Sequence, residues 1–164
     1  MLHYWCCIFI FSSLVLAQPP NNLCTNAVTV SDLPFTYDGA TTGASKEHIC
    51  YNSYGAGDVW FSYTPTSTIY ARVDLCSVNY DSVIYVVSGS CDSYTCLSRN
   101  DDGCAVSGGS RFDLALTAGT QYFIIVSGFQ TRVGSYRLVI SYLGQATSGC
   151  FSAQVISSLA LYQV

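Results

Sequence analysis

The chain has 164 residues and a formal net charge of −4, with 50% hydrophobic and only 10% charged residues. Charges this few, and mostly acidic, exclude a nucleic-acid-binding surface, which needs clustered Lys and Arg to displace counterions from phosphates. With 13 tyrosines, 13 glycines and frequent Ser and Thr, the composition favours strands and turns over long helices.

In chain order, the first element is an apolar run over 4–16 that ends with Val15 and Ala17, the small-residue spacing of a signal-peptidase site. The run falls short of the roughly 20 apolar residues that cross a bilayer. Gln18, Pro19 and Pro20 stop it. Residues 1–17 are therefore read as a signal peptide and the protein as secreted. Secreted material is expected to begin at Gln18 on terminal sequencing, and an intact mass that retains Cys6 and Cys7 refutes this. Residues 18–22 read as a short linker, 23–143 as one domain, and 144–164 as a carboxy-terminal tail.

The strands follow at short intervals. Segments 27–30 and 33–37 come first, then 59–63 with apolar residues on both sides, as in a strand covered on two faces. Over 68–75, Ile69, Ala71, Val73 and Leu75 alternate with Tyr70, Arg72 and Asp74, which marks a half-buried strand. Segment 82–87 is again apolar on both sides. Phe112, Leu114 and Leu116 alternate with Arg111, Asp113 and Ala115, and Ala118-Gly119 then turns the chain into 121–127. Tyr136, Leu138, Ile140 and Tyr142 close the series. About eight strands predict an all-β fold of two packed sheets, an antiparallel β-sandwich stapled by disulfides.

Beyond residue 17 lie Cys24, Cys50, Cys76, Cys91, Cys96, Cys104 and Cys150. Behind a signal peptide, bridges are the normal fate of cysteine. Zinc is the alternative, invited by the closeness of Cys91, Cys96 and Cys104, but there is no CxxC spacing and His48 is the one histidine beyond residue 17. Six domain cysteines allow 15 pairings. The expected set is Cys24–Cys50, Cys76–Cys104 and Cys91–Cys96, the last because two cysteines close in sequence within a turn-rich stretch can meet. Cys150 is left over and is expected to pair with another chain as a covalent dimer.

Cys24 with Ala27, Leu33-Pro34-Phe35, Gly57-Asp58-Val59-Trp60-Phe61 running to Thr64-Pro65, and Cys76 are followed by Asp81-Ser82-Val83-Ile84 and Gly89-Ser90-Cys91. Asn100-Asp101-Asp102, Ala118-Gly119-Thr120-Gln121-Tyr122 and Gly134-Ser135-Tyr136 complete the order. This succession resembles the pre-peptidase C-terminal domain over nearly all of 23–142. The resemblance implies a jelly-roll-like β-sandwich, an accessory module of secreted proteases and other extracellular proteins, related to collagen-binding modules that use calcium. No protease domain accompanies it in this sequence.

Catalysis finds little support. A serine triad needs a histidine base, and His48 reads as a solvent-exposed loop residue with no GxSxG elbow in the chain. The polar cluster with chemical promise is Asn100, Asp101 and Asp102, joined by Asp81. These side chains supply part of the six to eight oxygens that Ca²⁺ takes, although Asn-Asp-Asp-Gly is also good turn sequence without an ion. Calcium is thus a possible cofactor and none is required. Trp60 and Tyr63 read as core; Tyr70, Tyr80 and Tyr94 read as exposed contact candidates. The expected function is a secreted, non-catalytic binding or interaction module for an extracellular carbohydrate, matrix or protein ligand, with calcium assistance as an option. The alternative is a secreted protease inhibitor, or an accessory module derived from a protease-associated domain.

Overall fold

A computed structural model of the chain describes residues 17–52, 56–105 and 108–146. Among the described residues, nine strands build two sheets: β1 (Val28–Thr29), β2 (Phe35–Ala40), β3 (Val59–Tyr63), β4 (Ile69–Val78), β5 (Ser82–Ser90), β6 (Ser93–Asn100), β7 (Arg111–Leu116), β8 (Tyr122–Gly128) and β9 (Ser135–Gln145). One sheet has the order β1-β3-β8-β5-β6 and the other β2-β9-β4-β7. Apart from the short parallel β1–β3 pair, every pairing is antiparallel. From β2 onward, successive strands change sheet at every connection except the β5–β6 hairpin, which is the double Greek key of a jelly roll.

The inner faces follow the period-2 pattern. Phe61, Ile84, Ile124 and Val126 from one sheet meet Val73, Leu75, Leu138 and Ile140 from the other. Phe61 is ringed edge-on by Phe35, Tyr37 and Tyr136. The five-stranded sheet is buried on its outer face as well, where Trp60, Val83, Tyr85, Val87, Phe123 and Ile125 form a second apolar cluster with Cys24 and Cys50. This explains why the β3 and β5 segments are apolar at nearly every position. The cover over that face is irregular chain, carrying single 3-10 turns at Cys24–Asn26 and Cys50–Asn52. Asn21 and Asn22, in the stretch read as a linker, are buried: Asn21 Nδ2 donates to Trp60 O at 3.1 Å, and Asn22 Oδ1 accepts from Ser45 N at 2.6 Å.

Among the described residues, three bridges staple the fold: Cys24–Cys91, Cys50–Cys96 and Cys76–Cys104. The expected Cys24–Cys50 and Cys91–Cys96 pairs are replaced because the turn-rich stretch that was to join Cys91 to Cys96 leads into a strand, β6. Cys91 sits in the hairpin turn, and from Ser93 to Cys96 the chain is extended over about 10 Å, beyond the disulfide reach of about 7 Å. Cys91 and Cys96 instead each hold a different part of the cover onto the β5–β6 hairpin. With these six thiols consumed, zinc has no thiolate ligand among the described residues. Cys76, just past the strand read over 68–75, lies inside β4, which runs on to Val78. Cys150 and the rest of the expected tail from residue 147, like residues 1–16 of the expected signal peptide, lie outside the described residues.

Trp60 and Tyr63 are buried in the two cores as expected. Tyr80, expected to be exposed, is buried, its ring packed against Gly134, where a Cβ would lie 2.8 Å from it. Tyr70 and Tyr94 are half-buried.

Candidate functional site

The β5–β6 hairpin decides which acidic residues meet. Ile84 pairs with Asn100, so the residues just before β5 and just after β6 come to the same end of the sheet. Asp81, Asp101 and Asp102 therefore converge, with one carboxylate oxygen from each lying within 4.8 Å of the others. The surroundings fix that end. Ser82 Oγ donates to Gly108 O at 3.0 Å, Ser110 Oγ donates to Ser82 O at 2.6 Å, and the Cys76–Cys104 bridge anchors the returning loop to β4. Gly103 is wedged against Arg111 and Asn100, where a Cβ would strike Arg111 O and lie 2.5 Å from Asn100 Oδ1. Asp102 adopts φ 136°, a conformation costly for a residue with a side chain and held here by its neighbours.

Of the four residues proposed from sequence, three carboxylates gather and Asn100 serves another purpose. Its Oδ1 accepts the backbone N–H of Arg111 at 2.9 Å, tying the end of β6 to the start of β7. One cation answers the cluster: Arg99 Nη2 donates to Asp101 Oδ2 at 2.7 Å. Burial pushes the Asp101 carboxyl above its ordinary value; Arg99 opposes this, and the charges of Asp102 and Asp81 add to it. Three converging carboxylates, one of them paired with a guanidinium, form a hard-oxygen, electronegative corner suited to a divalent cation such as Ca²⁺. Asp74 lies near Cys76 and Cys104, but those sulfurs are bridged and Asp74 is engaged by Cys76 N and the Arg111 side chain.

His48 differs from its sequence reading. Its side chain and that of Asp58 have no exposed surface, and Nδ1 lies 2.8 Å from Asp58 Oδ1. Asp58 Oδ2 accepts from Glu47 N at 2.6 Å and His48 N at 2.9 Å, so one carboxylate gathers the cover loop beneath it. The imidazole packs on Tyr85, with ring centres 4.1 Å apart. Burial raises the Asp58 carboxyl, but the hydrogen bond and charge of His48, together with the two backbone N–H groups, outweigh it and hold the group below its ordinary value. An imidazole sealed in this way meets no substrate, and its evident role is to pin the cover.

The chain is thus a jelly-roll sandwich with a stapled outer layer and an acidic loop end. No family model matches it, and no curated protein matches it. Its fold is similar to that of the pre-peptidase C-terminal domain of collagenase from Bacillus anthracis, at 13% identity and a TM-score of 0.47 over 70% of this chain and 94% of that one. It is similar also to PliG from Aeromonas hydrophila, a periplasmic lysozyme inhibitor of g-type lysozyme, at 14% identity and a TM-score of 0.48 over 71% and 96%. A third similar structure is the Yersinia pseudotuberculosis-derived mitogen, at 15% identity and a TM-score of 0.44 over 71% and 93%.

Proposed function

We propose that the chain is an extracellular, non-catalytic binding module whose acidic loop end takes Ca²⁺ and uses it to order the loops around Asp81 and Asp101. The observation that carries this reading is the convergence of Asp81, Asp101 and Asp102 on one another, with Asp101 alone paired to Arg99, a repulsion that a divalent cation would relieve. Six bridged cysteines support an oxidising compartment. The sealed His48 supports a non-catalytic role.

Thermal unfolding with and without Ca²⁺ tests it. A ligand at a hundredfold its Kd adds about 2.7 kcal/mol, which raises the Tm by several degrees. The rise is expected to reverse with chelator and to vanish in the Asp101→Ala/Asp102→Ala variant. If the unaltered protein shows no shift, the loop end is a turn and the calcium reading fails.

A further inference from the structure

The two sheets are dressed differently. The five-stranded sheet is covered on its outer face, whereas no described segment packs over the outer face of β2-β9-β4-β7. Cross-strand pairing orders the charges on that bare face: Arg72 with Asp113, Arg111 with Asp74, and Arg137 with Asp38. Three guanidinium groups and three carboxylates cancel, so the face is polar and locally neutral.

At one end the face carries a shallow, open groove of about 770 Å³, a volume within the range of small-ligand sites. Its floor is a row across three strands, since Asp38 stands opposite Arg137 on one side and Ser77 stands opposite Arg137 on the other. An extra residue in β4 between Asp74 and Ser77 makes a bulge, which bends and twists the strand beside the groove. Asn79 and Ser135 close the end, with Asn79 Oδ1 accepting from Ser135 N at 2.8 Å.

The chemistry of this lining selects a ligand. Arg137 gives Nε and Nη2 to the two oxygens of Asp38 at 2.7 and 2.8 Å, and each group holds the other in place. A guanidinium has five N–H groups and a carboxylate about four lone-pair sites, so the locked pair still presents both donors and acceptors. Two serine hydroxyls and the Asn79 amide lie within reach of the same space. A free cation or anion would compete with the existing pair. A hydroxyl, which donates and accepts at once, fits without breaking it. We propose that this groove binds a neutral, hydroxyl-rich ligand, namely a saccharide, held by the Asp38–Arg137 pair with Ser77 and Asn79 beside it. The proposal rests on the reading of the chain as a binding module and is separate from its calcium loop.

The test is binding of a panel of neutral hexose and N-acetylhexosamine oligosaccharides, together with their sulfated counterparts, to the full secreted chain, measured by saturation-transfer NMR and calorimetry in the presence of a calcium chelator. Binding of at least one member is expected, weakened about tenfold or more by Arg137→Ala and by Asp38→Ala. Asp113→Ala on the same face should leave it unchanged. Both groove variants should melt as the unaltered protein does, because exposed ion pairs contribute little to stability. Three outcomes overturn the proposal: no binding by any member, undiminished binding in the Asp38→Ala/Arg137→Ala double variant, or a preference for sulfated over neutral sugars. Saccharide binding without any calcium-induced melting shift removes the calcium reading and leaves the groove standing; hydrolysis of a bound sugar removes the non-catalytic reading alone.

Discussion

Replacing Asp58 by Ala is expected to lower the unfolding free energy by about 3–5 kcal/mol, the cost of removing one partner from a buried, hydrogen-bonded pair. The loss has two parts. The His48 ring loses its carboxylate, and the N–H groups of Glu47 and His48 lose the oxygen they share. Asp58→Asn keeps an acceptor for those N–H groups and should recover a portion. Urea denaturation at neutral pH measures both variants, and a loss below about 1 kcal/mol for Asp58→Ala would mean that the pair does not hold the cover. The pH dependence has a fixed sign. Because the folded carboxyl sits below its ordinary value of 3.8, its stabilisation is complete above that value and disappears as pH falls through the folded one. The unaltered protein should therefore lose stability in acid below about pH 4 more steeply than Asp58→Ala does.

Removing the Cys24–Cys91 bridge by paired substitution to Ala is expected to cost about 2–4 kcal/mol, towards the upper end because the bridge closes a span of 67 residues. Removing Cys50–Cys96 in addition frees both parts of the cover from the hairpin. The reporter is built in, since Trp60 is the one tryptophan beyond residue 17 and belongs to the outer cluster that the cover shields. Its emission should shift to the red in the doubly unbridged protein at denaturant concentrations where the unaltered protein is still folded. Peptide mapping of unreduced protein gives the independent check. Fragments joining Cys24 to Cys50, or Cys91 to Cys96, would contradict the structure.

The eight strands read from sequence are those in which alternation or a doubly apolar run is strong, and each has a counterpart in the sandwich. The strand that escaped, β6, has none of that signal: Ser93–Asn100 is an edge strand whose residues alternate between exposed and half-buried. Its two neighbouring cysteines suggested a turn. Missing β6 carried the disulfide error with it, because only an extended β6 separates Cys91 from Cys96 and offers each to the cover. The acidic corner was legible in part because Asp101 and Asp102 adjoin and Asp81 opens a strand, whereas the use of Asn100 depends on β7, which is distant in sequence and adjacent in space. His48 was misread for a related reason. Nothing periodic marks residues 44–52 as a lid, and the carboxylate that pairs with His48 lies ten residues further along the chain. Burial by a non-repeating segment leaves no pattern for a sequence to show.

The place of β9 governs the order in which this chain becomes a protein. β9 lies between β2 and β4, with Phe35 opposite Ile140 and Val73 opposite the same residue on the other side. A chain delivered amino end first therefore holds an empty slot in the middle of one sheet until its final strand emerges. β2 waits without a neighbour, and the apolar rings of Phe35, Tyr37 and Phe61 wait with it. At roughly 5–20 residues per second, that exposure lasts for seconds. A transcript broken before residue 135 yields no smaller working piece, because the missing strand is the keystone of its sheet.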